Sequence, residues 1–355
     1  MSAVMIVLLL MCAAGITFAE PGQYYKDYCS PRKSNALKGI FVLIVFVSHF
    51  RGYITTGESD QVAITVVSFL GQLMVVPFLF YSGYGVMESI RKKGISYTKK
   101  LPVHRALKTL FHFDLAVLLY LAMNYVLGNE VTLEKFLLSL VCWTSLGNSN
   151  WYIFAMVALY LITAVSFLTV RKNHYIAAAL TTVLSCVLIV ILMPYRPGYC
   201  YNTILSYCLG MWYSLFREKI ERLVMRNDLL YFIVLAAVFV AFRWVSHRVG
   251  VSSWVYQGYS MLFMILVSFL GMKINIDNGF LQFLGKHTFS IYILQRLPMW
   301  YFSQKGLYAG DPVAMFIVSF LLTCAISVAF DMAVAKLDTW IFRERKRSDS
   351  KVAVQ

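Results

Sequence analysis

Five ionisable residues fall inside long apolar stretches of this chain: His49, Asp114, Arg243, Arg296 and Asp331. Charge is costly in such surroundings and normally faces a cavity or a partner, so each is a candidate for function. His49 ends the run Gly39-Ile40-Phe41-Val42-Leu43-Ile44-Val45-Phe46-Val47-Ser48, eleven positions after Lys38. On a helix that spacing puts it about 16 Å deeper than Lys38. Imidazole exchanges protons near neutral pH, which suits a general base lining a cavity; the plain alternative is an interfacial histidine with a satisfied hydrogen bond.

Arg243 and Arg296 fall toward the outer ends of their stretches, with His247, Arg248 and Gln295 near them in sequence. Either they line an outward polar vestibule for a hydroxylated or anionic acceptor, or they reach for lipid headgroups. Asp114, beside His112, suits a structural pairing with a basic residue of the preceding loop. Arg91, Lys92 and Lys93, followed by Lys99, Lys100, His104, Arg105 and Lys108, form a group dense enough to hold anionic lipid or a phosphate-rich cytosolic donor. Ser82 has no base beside it, and Ser82-Gly83 is the kind of pair that lets helices pack closely. Trp151 and Tyr152 offer ring faces to a sugar, although an interfacial aromatic belt accounts for most such rings.

The elements that must carry these residues follow from composition. The 355-residue chain is 59% hydrophobic and only 14% charged, with a mean hydropathy of +0.67. Water cannot be its main solvent. Apolar stretches of roughly 20 residues, each long enough to span a hydrocarbon core as a helix, recur along nearly its whole length. The formal net charge of +15 sits in short clusters between them, a pattern of orientation signals and anionic ligands rather than of nucleic-acid binding. The seven cysteines form no CxxC and no metal-like spacing, and Cys12, Cys142, Cys186, Cys208 and Cys324 lie within apolar runs. Neither a disulfide framework nor a metal site is expected.

Spans are predicted at about 36–56, 65–90, 106–127, 150–170, 175–193, 199–216, 228–247, 255–272, 280–302 and 312–337. The groups Arg32-Lys33-Lys38, residues 91–108, Arg171-Lys172, residues 217–226 and residues 343–347 then all face the cytoplasm, and Glu58 and Asp60 face outward. This alternation requires that the short apolar piece at 134–147, ending Trp143-Thr144-Ser145-Leu146-Gly147, does not cross but is re-entrant or interfacial on the outer side. The first 19 residues lack the basic start and small-residue cleavage site of a signal peptide, so they are expected to form an eleventh span with its N-terminus outside. The expected fold is all-α, a polytopic membrane helical bundle of ten core spans plus this one. It divides into an N-terminal segment and basic linker (1–35), a membrane domain (36–337) and a basic cytoplasmic tail (338–355).

Ala36-Leu37-Lys38-Gly39-Ile40 through Ser48-His49-Phe50 resembles the first core helix of acyltransferase family 3, multi-pass acyltransferases that modify sugars of surface polysaccharides. The family pattern there is an Arg, ten mostly apolar residues and a His; this chain keeps the spacing and the His and has Lys38 for the Arg. Pro77-Phe78-Leu79-Phe80-Tyr81-Ser82-Gly83-Tyr84-Gly85 is similar to the second-helix motif, and the basic loop from Arg91 follows it as in relatives. Asn150-Trp151-Tyr152-Ile153 and Leu284-Gly285-Lys286-His287-Thr288-Phe289-Ser290-Ile291-Tyr292-Ile293-Leu294 match more weakly, the latter running to Gln295 where many relatives have His.

The resemblance implies transfer of an acyl group, most often acetyl, from cytosolic acyl-CoA to a hydroxyl of a carbohydrate or lipid-linked glycan, in a bacterial inner membrane. His49 would be the catalytic base, with or without an acyl-histidine intermediate. Lys38, Arg91, Lys92, Lys93 and Arg105 would hold the phosphates of CoA, and Trp151, Arg243, Gln295 and Arg296 the acceptor. Acetyl-CoA is a co-substrate in this scheme, with no permanently bound cofactor or metal. Lys in place of Arg keeps the charge at position 38 but loses the bidentate fork. A transporter or flippase for a lipid-linked or small anionic solute would also need a polar cavity and intramembrane charge, and a degenerate sensor or scaffold is the third reading.

Overall fold

The computed structural model describes residues 2–54, 61–308 and 310–341. The Glu58–Asp60 loop and the basic cluster at 343–347 lie outside the described residues. The chain begins with α1 (Ser2–Ala13), an extended pair β1 (Thr17–Phe18), and α2 (Pro31–Phe50). Next come α3 (Gln61–Leu70), α4 (Val76–Lys93), α5 (Ile95–Leu101), α6 (Lys108–Val126) and the short α7 (Leu133–Leu140). Then follow α8 (Trp151–Thr169), α9 (His174–Leu192), α10 (Leu205–Val224), α11 (Asp228–Ser246) and α12 (Ser253–Lys273). The strand β2 (Ile274–Asn275) leads to α13 (Gly279–Lys286), α14 (Thr288–Leu294), α15 (Arg296–Gln304) and α16 (Pro312–Ile341). The protein is all-α apart from the antiparallel β1–β2 pair.

Eight helical runs among the described residues are long and apolar enough to cross a membrane, and they coincide with eight of the ten expected spans. Their starts are written in the sequence. Ser30 caps α2 by accepting from Lys33 N, with Pro31 at the first helical position, while Asn173, Asn227 and Ser252 cap α9, α11 and α12. The sixth expected span lies later than its apolar run, because residues 197–204 form tight turns and the helix begins at Leu205. Buried Gln257 holds that join, accepting from Leu205 N and donating to the Tyr201 carbonyl.

The ninth expected span is three short helices broken at His287 and Gln295. Both breaks have local causes. Pro298 has no N–H for the carbonyl four residues back, at Leu294. Thr288 Oγ1 donates to the Leu284 and Gly285 carbonyls, competing with the backbone ladder.

The N-terminal segment forms a 12-residue helix, about 18 Å long and so shorter than a hydrocarbon core of about 30 Å. It runs from Ser2, whose hydroxyl accepts from Val62 N, to the end that the charge rule makes cytoplasmic, where Asn278 donates to the Met11 and Ala14 carbonyls. Residues 14–30 then cross that end as a strap. Tyr25 N bonds the Met272 carbonyl, Gly22 N bonds Asp228, and Arg217 bonds the Lys26 carbonyl.

Two helix crossings are made by paired glycines. A Cβ on Gly83 would lie 2.0 Å from the Tyr207 carbonyl oxygen, and one on Gly210 would lie 2.1 Å from that of Phe80, so α4 and α10 touch backbone to backbone. Gly39 and Gly285 do the same for α2 and α13 against Leu281 and Asn35. In a bilayer, where apolar burial between helices gains little, such close approach is a main source of cohesion. Helices α4 and α2 are therefore held rigidly, and they carry the residues of the site.

Candidate active site

Two cavities lie end to end inside the bundle. The first, about 410 Å³, is lined from α2 by Ser34 and Lys38, from α4 by Ser82, and farther round by Arg105, Tyr160 and Lys286. Among the described residues three cations and no carboxylate line it, and it lies toward the end that the charge rule makes cytoplasmic. Arg105 sits on a widened π-type turn, residues 102–107, that opens between α5 and α6 at Pro102. It donates to the Tyr97 hydroxyl at 3.3 Å. Ser82 exchanges a hydrogen bond with Tyr160 at 2.8 Å, while the close packing of that motif belongs to Gly83.

The second cavity, about 440 Å³, holds His49, Gln72, Asn148, Ser149, Trp151 and Arg296 among its walls. It lies toward the opposite end, beyond Tyr292. Non-helical backbone at membrane depth is tolerated where it is buried in protein or lines a cavity, and the turn after α7 does so with Ser145, Asn148, Ser149 and Asn150. The 134–147 piece thus contains an eight-residue helix, too short to span. Its loop is held by Asn150, which donates to the Cys142 and Thr144 carbonyls, and by Asn124, which donates to the Leu146 carbonyl.

Tyr292 stands in the wall of both cavities. Its ring centroid is 6.4 Å from that of His49 and 5.5 Å from that of Tyr152, which in turn is 6.2 Å from Phe78. An aromatic layer therefore separates the basic cavity from the histidine-bearing one. Gln72 Oε1, Asn148 Nδ2, Ser149 Oγ and Arg296 Nε, all from residues lining this second cavity, are buried without a hydrogen-bond partner. Buried polar atoms are normally satisfied, so this concentration at one cavity marks it as built for a ligand.

The expected site residues divide between these cavities and the surface. Lys38 and Arg105 line the first cavity; His49, Trp151 and Arg296 line the second. Gln295 is fully buried and, with Arg296, is a polar neighbour of the imidazole. Arg91 lies outside both cavities, bonded to Glu88 at 2.9 Å and to the Ser214 carbonyl at 3.0 Å, and Lys92 and Lys93 are exposed. Arg243 is on the periphery, donating to Ser246 within its own helix.

Among the described residues Asp114 takes no basic partner. Lys108 and His112 both pair with Asp338 of α16, at 2.7 and 2.8 Å. Those two are four apart on one face of α6, and Asp114 points elsewhere. Asp331 is engaged by His287 at 2.5 Å and by Ser290, tying α14 to α16 outside the cavities.

A multi-pass membrane bundle enclosing a basic cavity, an aromatic layer and a cavity with a half-buried histidine is the class of protein that fold and site define. The acyltransferase domain profile matches residues 33–332, and the chain belongs to acyltransferase family 3. It is a membrane acyltransferase. Neither a curated protein nor a solved structure matches it. Sequence reasoning missed Lys286, Tyr292, Gln72, Asn148 and Ser149 as lining residues. The run Ser145 to Asn150 did carry a signal, being a polar interruption next to Trp151.

Proposed function

We propose that this acyltransferase moves an acetyl group from cytosolic acetyl-CoA to a hydroxyl of a carbohydrate or lipid-linked glycan, in a bacterial inner membrane. The observation that carries the reading is that Tyr292 is shared by a cavity with three cations among the described residues and a cavity lined by His49. Lys38, Arg105 and Lys286 suit the phosphates of CoA through charge-assisted hydrogen bonds. Lys38 and His49 are eleven residues apart on α2, so an arm anchored at the first has about 16 Å to cover. The flexible pantetheine arm can follow that wall past the aromatic layer and present its thioester beside His49.

In this scheme the acceptor sits in the second cavity with a sugar face against Trp151. The neutral imidazole of His49 takes the acceptor hydroxyl's proton as the oxygen attacks the thioester carbonyl. The C–S bond then breaks, and the proton returns to the leaving thiolate. Ser82 is not the nucleophile, because its partner is a tyrosine hydroxyl and not a base. Purified protein given acetyl-CoA and a glycan should release free thiol and form a glycan ester. His49→Ala should lose both by at least about a hundredfold while keeping its melting behaviour. Unchanged thiol release in that variant removes His49 from the reaction.

A further inference from the structure

Arg296 is the only Lys, Arg, Asp or Glu among the described residues lining the second cavity. It opens α15 after Gln295, and its side chain lines this cavity. Its Nε is buried without a partner, and among the described residues no carboxylate pairs with it. Tyr53 is a hydrogen-bond neighbour, leaving most of the five donors of the guanidinium uncommitted. Arg296 is half-buried with its Nε fully enclosed, and the fork of a guanidinium matches the oxygen pair of a carboxylate or phosphate.

The rest of the wall is neutral and suited to hydroxyls. Asn148 Nδ2 and Gln72 Oε1 offer one donor and one acceptor that the protein leaves unused. Trp151 and Tyr199, with ring centroids 6.4 Å apart, offer apolar faces. Together these groups describe a sugar ring with one negatively charged substituent.

We infer that the acceptor is an acidic glycan, bearing a carboxylate or phosphate that Arg296 binds while a neighbouring hydroxyl is presented to His49. This rests on the acyl-transfer reading above and adds the charge of its second substrate. The charged substituent also fixes which hydroxyl meets the imidazole, since one bidentate contact and one stacked face leave the ring little freedom to turn.

The test uses full-length protein in nanodiscs with acetyl-CoA and three acceptors: an oligosaccharide bearing a uronic acid, a glycosyl phosphate and the neutral oligosaccharide. Ester on the glycan and free thiol are both followed. The wild type should use one charged acceptor over the neutral one by at least about thirtyfold in kcat/KM. The preferred arm then separates carboxylate from phosphate. Arg296→Gln should bring the ratio close to one, mainly through KM, and Arg296→Lys should leave an intermediate ratio. Because each ratio is taken within one preparation, it does not depend on the fraction of protein that is folded. Equal use of charged and neutral acceptors by the wild type overturns the inference, as does a ratio unchanged in Arg296→Gln. Equal loss on all three acceptors, with the ratio kept, places the guanidinium on the thioester oxyanion instead and overturns it too. Absence of thiol release from acetyl-CoA with any acceptor overturns the acyl-transfer reading itself, and the inference with it.

Discussion

Replacing Gly83 with Ala tests whether the glycine crossing of α4 and α10 holds the site in shape. The new Cβ would lie 2.0 Å from the Tyr207 carbonyl oxygen, 2.9 Å from its carbon and 3.2 Å from its Cα. Backbone atoms cannot swing aside, so the helices must part by about 1 Å, which forfeits about half of the dispersion energy of each contact across the seam. The expected destabilisation is that of an overpacked core, about 1–3 kcal/mol. Gly85 is the control on the same helix, since a Cβ there meets nothing within 4 Å. Gly85→Ala should be neutral or stabilising by up to about 1 kcal/mol through helix propensity. Unfolding by SDS titration of both variants in mixed micelles measures the difference directly. Thiol release should fall only in Gly83→Ala, because Ser82 beside it lines the cation-bearing cavity. Equal stability of the two variants would refute the reasoning.

Burial works against charge on Asp277, yet hydrogen bonds from Arg32 and Gln282 and the charges of Arg32 and Lys33 hold its carboxyl below the usual range. Its contribution is therefore complete above an ordinary carboxylate pKa of about 4 and is lost as pH falls through the lowered value. It stays below about 1 kcal/mol because the Arg32 side chain is 74% exposed; Asp277→Asn should flatten the acid limb of the stability curve, and an unchanged limb counts against the pairing. Burial pushes the Cys29 thiol up to about 12 in spite of Arg217 nearby, so maleimide at pH 8 should leave it unlabelled until SDS is added. Labelling of the native protein at the rate of an exposed thiol would contradict that burial. Asp338→Asn releases both Lys108 and His112 from α16 and should cost about 1–3 kcal/mol in the same titration; wild-type stability would show that the clamp contributes nothing.

Much of this architecture was legible because bilayer physics leaves few options. A run such as 175–193 must be a helix to satisfy its own backbone, and Asn173 marks its start. The eleven-residue step from Lys38 to His49 predicted a histidine about 16 Å deeper on the same helix, and α2 carries both residues. Gly83 was legible as a contact, but its partner Gly210 was not, since nothing local says which helix lies opposite. The lining of the second cavity was the least legible part. Asn148 and Ser149 belong to an irregular turn that is stable only because Asn124 and Asn150 satisfy its carbonyls, and such bonds between distant residues leave no periodic trace.

Arg243 and Arg296 show why intramembrane arginines are hard to read from position. Both stand near outer span ends, and for both the choice lay between a vestibule and the headgroups. Arg243 is on α11, whose only buried side chains are Tyr231 and Phe242, so it has lipid-facing surroundings and a partner in Ser246 one turn on. Arg296 follows a break that Pro298 imposes, in a segment where Leu294, Gln295 and Leu297 are buried. The burial of the neighbours separates the two arginines, leaving Arg243 exposed on α11 and Arg296 in the wall of the cavity beside His49.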